Sequence, residues 1–345
     1  MPTTYAIPDG RVAMSATTYA GSASTQVINS NMTTLNFAWI KDRTSANSNA
    51  LVDTVRGGSP MLTLYSNLTA AEDNSSPNYN PTSISGSSIT LGGGKIGINT
   101  SGDNYVMWGW SAGPSNVSNT NGSITSTVSA NTTAGFSIVS YTGNGSTGTV
   151  GHGLGSVPKM MIIKERSTIR DWIVYHVILG AGNRVFLNLT DASGASTTNF
   201  NNTTPTSSVF SIGATTATNE NGGTYVAYCF AEIPGYSAFG SYTGNASADG
   251  PFIYLGFRPR FIMIKNATTA GYGWVMEDTS RDPYNTQGIY LLANTSGTEG
   301  TTIYIDYLSN GFKVRTGTQP AINNSGDTFI YAAFAENPFK YANAR

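Results

Sequence analysis

The chain has 345 residues, of which 11% are charged, and a formal net charge of −1. That length allows two or three cored domains, while the lack of any basic cluster excludes the electrostatic footprint of a nucleic-acid binder. No run approaches the ~20 apolar residues of a bilayer span, and a single cysteine, Cys229, rules out an internal disulfide framework and a Cys-based zinc site.

Soluble domains usually carry about 25% charged residues, so solubility here must come from Asn, Ser, Thr and Gly. These residues crowd the stretches between apolar runs, as in short strands joined by turns. The segment MPTTYAIPDGRV has neither a basic leader nor an apolar h-region, so no Sec signal is expected.

In chain order, the first element is an aromatic-led turn, TTYAGSAS around Tyr19. An apolar strand ending in lysine follows, FAWIKDR at 37–43, and continues into ALVDTVRGG. A helix-like scrap, NLTAAED at 67–73, precedes a polar turn and a closing strand, SGDNYVMWGWSA from Ser101. After a Ser/Thr/Asn-rich tract the same anchors return as SYTGNGST at Tyr141, KMMIIKER at 159–166 and NGGTYVAYCFAE from Asn221. They return again as SYTGNASA at Tyr242, RFIMIKN at 260–266 and SGDTFIYAAFAE from Ser325. Self-similarity at a period of roughly a hundred residues reads as three copies of one unit. The expected organisation is a first repeat over 1–113, a linker over 114–135, a second repeat over 136–233, and a third over 234–345 with a C-terminal docking tail.

Period-two alternation marks the strands as half-buried. Val106, Trp108 and Trp110 share one face of the first closing strand, matching Val226, Tyr228 and Phe230, then Ile330, Ala332 and Phe334. Cys229 falls on the opposite face, where the other copies place Gly109 and Ala333, and reads as a small packed residue rather than a nucleophile. The pattern predicts an all-β fold of three tandem sandwich-like repeats, mainly antiparallel, with almost no helix.

The most specific strings are SYTGNGSTGTVGHGLGSVPKMMIIKERS, the W-x-V-Y-H run after it, TYVAYCFAEIPGYSAFGSYTGN, LSNGFKVRTG and FAENPFKYANAR. They resemble a repeat family of virion proteins from tailed phages of aquatic bacteria, described as tail-fibre or structural proteins. TYAIPDGRVAM and FAWIKDR…LVDTVRGG resemble its leading copy, so the resemblance covers nearly the whole chain. It implies a virion part assembled in the host cytoplasm, with no catalytic motif to transfer. The implied partners are other virion proteins, copies of itself, and a host surface glycan or receptor, without nucleic acid or membrane insertion. A tail fibre or host-contacting appendage that binds without catalysis is the expected function. Fibre members often have a separate N-terminal attachment segment, whereas this chain enters its first repeat almost at once. That leaves room for a capsid-decorating, head-fibre or adaptor role, and a surface-polysaccharide depolymerase is the alternative from the enzyme class.

Candidate chemistry is sparse. His152 lies in a glycine-flanked turn, and His176 aligns with Asp53 and Asp278, so a polar structural role is expected there rather than catalysis. Lys41, Lys164 and Lys265 end the same strand in each copy and are expected to pair with carboxylates on the neighbouring strand, Asp53 and Asp278 being natural partners. The echo D-T-x-R, at Asp53 with Arg56 and Asp278 with Arg281, predicts an Asp that caps local backbone N–H groups. Glu232 and Glu336 close their strands a whole repeat apart, whereas a glycosidase pair needs roughly 5–10 Å. The loops NTSGD, NENGG and NNSGD hold too few carboxylates for calcium, so neither metal nor cofactor is expected. AGYGW and RDPYNTQG offer Tyr272, Trp274 and Tyr284 for stacking on a pyranose ring. Phe339 and Tyr341 are expected to dock against a neighbouring subunit or in a groove between repeats, because a Phe-sized side chain left in water forgoes about 1.5–3 kcal/mol.

Overall fold

A computed structural model describes residues 5–73, 80–94 and 97–338. Among them, helix is confined to Thr216–Asn219, Pro320–Asn323 and one 3-10 turn, Gly10–Val12. The fold is all-β and antiparallel, as the alternation requires.

Each copy contributes a main sheet with the same spatial order: opening strand, closing strand, lysine strand, then two further strands. In the first copy these are Met14–Ala20, Asn104–Trp110, Phe37–Asp42, Ala50–Asp53 and Leu64–Tyr65. In the second they are Phe136–Thr142, Thr224–Ala231, Pro158–Glu165, Ile173–His176 and Asn183–Phe186. In the third they are Ser237–Thr243, Thr328–Pro338, Phe257–Asn266, Val275–Asp278 and Leu291–Leu292. Register is also shared. Tyr19, Tyr141 and Tyr242 lie opposite Tyr105, Tyr225 and Phe329, while Lys41, Lys164 and Lys265 lie opposite Val106, Val226 and Ile330.

The leading tyrosine explains why the register repeats. Its ring stacks on the partner aromatic at 5.1, 5.0 and 5.0 Å in the three copies. Its hydroxyl donates to the carbonyl of Ile98, Thr218 or Ile322 at 2.8, 2.7 and 2.7 Å. The next residue in each case, Asn99, Asn219 or Asn323, is buried and clamps the turn after the tyrosine through its side-chain amide. A slip of one residue would break all these bonds and turn the apolar set to the wrong face.

One side of each main sheet is covered by a small sheet of its own copy. These are Gln26–Asn29 with Ser88–Leu91 and Ser83–Ser85, then Gly148–Gly151 with Val209–Ile212, then Phe252–Tyr254 with Gly311–Val314 and Ile305–Leu308. In the first two copies the enclosed cores are separate, while that of the third runs into the centre of the molecule. The other side of all three main sheets meets in one common core. Trp110, Phe230 and Phe334 hold matched positions and touch one another, with ring centroids 6.1, 5.6 and 5.8 Å apart. The three sandwiches therefore stand as blades about a pseudo-threefold axis, and are not beads on a string.

Two sequence expectations need correction. The tract 114–135 is not a passive linker, because Val117–Asn119 and Ser126–Asn131 pair beside Phe136–Thr142 and widen the second main sheet. Its Ser and Thr residues hide the inward Val128, which is buried. NLTAAED forms no helix. The Leu68 carbonyl accepts a bond from Trp172 of the second copy, and Glu72 reaches Arg166, so this stretch follows a neighbour rather than coiling on itself. Phe339 and Tyr341 lie outside the described residues.

Candidate functional site

Several residues that the sequence singles out, among them Asp53, His176, Asp278 and Trp274, gather at the junctions between blades. In each junction the end of one fourth strand meets the next blade's closing strand. Asp53 accepts from the Tyr228 hydroxyl at 2.8 Å, and Asp278 accepts from Trp108 Nε1 at 3.0 Å. Ala332 fills the matching place in the third closing strand and offers no polar atom, so His176 Nε2 bonds the Tyr331 carbonyl instead, at 3.1 Å. The start of each fourth strand reaches back the other way. Trp172 Nε1 donates to the Tyr65 carbonyl at 3.0 Å, Trp274 Nε1 to Phe186 at 2.7 Å, and Asn49 Nδ2 to Ala293 at 2.9 Å. The contacts thus run from copy one to two, two to three, and three to one.

Charge seals two of these junctions. Arg56 and Arg166 share Glu72 at 2.9 and 2.7 Å, and Arg281 and Arg43 share Glu299 at 3.2 and 2.7 Å. The third junction has Ser193 and Ala267 in these places, since Ser193 N bonds the Ala267 carbonyl just as Glu72 N bonds Arg166 and Glu299 N bonds Arg43. The junction between copies two and three accordingly lacks the shared glutamate and its arginines. Sequence reasoning missed the glutamates although they share a short motif: Glu72 and Glu299 each stand five residues after an asparagine, in NLTAAE and NTSGTE, and NLTDAS places Ser193 at the same offset.

The D-T-x-R expectation holds in its local form. Asp53 Oδ1 accepts from the N–H groups of Val55 and Arg56 at 3.0 and 2.8 Å, and Asp278 Oδ1 from Ser280 and Arg281 at 3.0 and 3.0 Å. The second carboxylate oxygen of each takes the Nε of its own arginine. Burial works against the charge on Asp278, but Arg281 beside it prevails and holds its pKa below the usual value.

The lysines do not pair with those aspartates. Antiparallel register sets Asp53 opposite Phe37 and Asp278 opposite Phe261, at the far end of the hairpin from Lys41 and Lys265. Lys41 Nζ donates to Asn49 Oδ1 at 2.7 Å and the Thr295 carbonyl at 2.9 Å; Lys164 donates to the Glu165 carbonyl at 2.6 Å. Lys265 donates to the carbonyls of Thr190 and Tyr272. Burial pulls all three lysines down, to about 8.

Both histidines are buried. His152 accepts at Nδ1 from Leu154 N at 3.2 Å and faces the Thr206 carbonyl through Nε2 at 3.1 Å, and burial lowers its pKa. Burial takes His176 down to about 4. Cys229 is buried too, and desolvation pushes its thiol up to about 12. Glu336 pairs with Arg258, and Glu232 accepts from Phe239 N at 3.2 Å. A groove of about 490 Å³ lies between Ile7, Val12 and Thr34 on one side and Pro114 and Thr133 on the other, with no titratable side chain on its walls. Among the described residues, no group of three His, Cys, Asp or Glu side chains is placed to hold a metal.

The three residues expected to stack on sugar do not form one surface. Trp274 is 1% exposed and faces the second copy, because its indole fills the junction just described. Tyr272 is half-buried, and its carbonyl serves Lys265. Tyr284 is 72% exposed, and its neighbour Asn285 exchanges two bonds of 2.9 Å with the Tyr307 backbone. That places Tyr284 at one edge of the third copy's small sheet. The opposite edge of the same sheet carries Phe252 and Tyr254, which are also exposed. Comparing FIY at 252–254 with VIN at 27–29 and TVG at 149–151 would have revealed them.

A family model described as "Domain of unknown function (DUF7483)" matches residues 12–338. No curated protein and no solved structure matches the chain.

Proposed function

We propose that this chain, which belongs to the DUF7483 family, is a virion structural protein: a tail fibre or related host-contacting appendage that works by binding alone. The observation carrying the non-catalytic part is the engagement of its candidate acid–base groups. His176, Asp53 and Asp278 are buried in junctions between blades, and His152 is buried in a turn. The virion part is supported by the strings of copies two and three that resemble phage structural repeats. Other virion proteins are the partners this reading implies. Among the described residues no helix is long and apolar enough to cross a membrane.

A second reading, capsid decoration, is favoured by the pseudo-threefold arrangement of blades, a shape that can seat over a local threefold position of a shell. Immunogold labelling of intact particles in negative stain tests both. Label at the tail tip is expected, label over the shell selects decoration, and unlabelled particles overturn the virion assignment. Release of reducing sugar from host surface glycan by the purified chain would overturn the binding-only part.

A further inference from the structure

The small sheet of the third copy has an outer face unlike its two counterparts. Phe252 and Tyr254 project from the edge strand at alternate positions and are 46% and 58% exposed. Tyr304, immediately before Ile305–Leu308, is 44% exposed. Ile253, Phe312, Ile305 and Tyr307 are buried on the inner side, as strand alternation demands. Gly311 lies opposite Tyr254, and a β-carbon there would come within 2.0 Å of the Ile253 carbonyl oxygen. No side chain can fill the space across from the Tyr254 ring.

The charges on this face are paired with each other. Lys313 Nζ meets Asp249 at 2.6 Å, and Arg315 Nε meets Asp306 at 3.3 Å. Two bases and two acids leave the face without net charge, so an anionic or cationic partner would have to break those pairs to gain by electrostatics. The scaffold itself does not call for aromatics here. The matched positions beside Ile28 are Val27 and Asn29 in the first copy, and those beside Val150 are Thr149 and Gly151 in the second. In the second copy, moreover, Ser123 covers Thr149 through bonds of 3.0 and 2.9 Å.

We propose that this face binds a neutral polysaccharide, with pyranose rings stacking on Phe252 and Tyr254 and hydroxyls bonding to the Lys313–Asp249 and Arg315–Asp306 pairs. Aromatic rings supply apolar area at low entropic cost, and paired charges keep donors and acceptors available to hydroxyls. A second copy adding a strand at this edge is disfavoured, because the edge strand spans three residues and Pro251 precedes it. The inference deepens the reading above and rests on its binding-only character.

Affinity electrophoresis of the full chain in gels cast with dextran, mannan or galactan, and with alginate as the anionic counterpart, tests it. At least one neutral gel should retard the wild type. The double variant Phe252→Ala/Tyr254→Ala should bind at least tenfold more weakly, with its melting temperature nearly unchanged, while Val27→Ala binds as the wild type does. Retardation by alginate alone, by no gel, or equally for wild type and double variant overturns the proposal. So does a wild-type dimer in sedimentation that the double variant abolishes while no neutral gel retards either. Label on particles without glycan binding refutes this inference alone, whereas glycan binding by a chain absent from particles refutes the virion reading alone.

Discussion

At His176, Nδ1 accepts from Ile178 N at 3.4 Å while Nε2 faces the Tyr331 carbonyl, an arrangement that only the neutral Nε2–H tautomer satisfies. The folded pKa is about 4, against about 6.5 for an unfolded histidine. Between those values the unfolded chain binds more protons, so stability should fall by up to about 3 kcal/mol as pH drops through that window, then level off. Urea midpoints at pH 7 and pH 4 should therefore differ more for the wild type than for His176→Gln. Glu277 acts with the opposite sign. Both its carboxylate oxygens are buried without a hydrogen-bond partner, and desolvation holds the acid neutral in the fold. The unfolded acid ionises above about 4.3, so this contribution is lost as pH rises, and Glu277→Gln should flatten the decline on the alkaline side. Val52 and Tyr175 occupy the matching positions, so the blade itself has no need of a carboxylate there. Cys229→Ala should cost roughly 1 kcal/mol or less, since Ala333 holds the matching place, and the native thiol should label slowly without denaturant. At this scale the Asp caps were legible because D-T-x-R is a local signal. The lysine acceptors were not, because most are backbone carbonyls, those of Thr295 and Thr190 from another blade, and a carbonyl leaves no mark in the sequence.

Among elements, the junctions differ in how they should fail. Glu72 and Glu299 each hold an arginine whose side chain is fully buried, so Glu72→Gln or Glu299→Gln should cost roughly 2–4 kcal/mol by denaturant titration. Ser193→Ala, at the junction without a glutamate, should cost about 1 kcal/mol, one hydrogen bond's worth. The strands themselves were readable from alternation, and the shared register from the recurring tyrosine and lysine. What alternation could not tell is which neighbour covers each face. Trp108 and Trp110 read as the inside of a sandwich, yet they point at other copies, and both faces of their strand are buried. The same ambiguity sent Trp274 to a sugar site. Its side chain is large, aromatic and next to glycines, but the space it fills belongs to the second copy.

For the whole molecule, a shared core implies one cooperative transition. Residues 136–233 expressed alone would expose Tyr228 and Phe230 to water, and should give the broad, featureless spectrum of an unfolded chain. Trp110→Ala should lower the single melting transition of the intact protein by the equivalent of about 3–5 kcal/mol without splitting it. Separate steps in calorimetry would mean that the blades fold independently after all. Joining the blades covalently has a further consequence. Three identical chains about an axis must present every surface three times, whereas here each substitution occurs once. Val27, Thr149 and Phe252 hold matched places with different chemistry, and one junction of three lacks its arginines. The ring therefore has an orientation. A partner that docks on its axis meets three unlike sides, and a feature on one blade fixes which of the three rotations is taken.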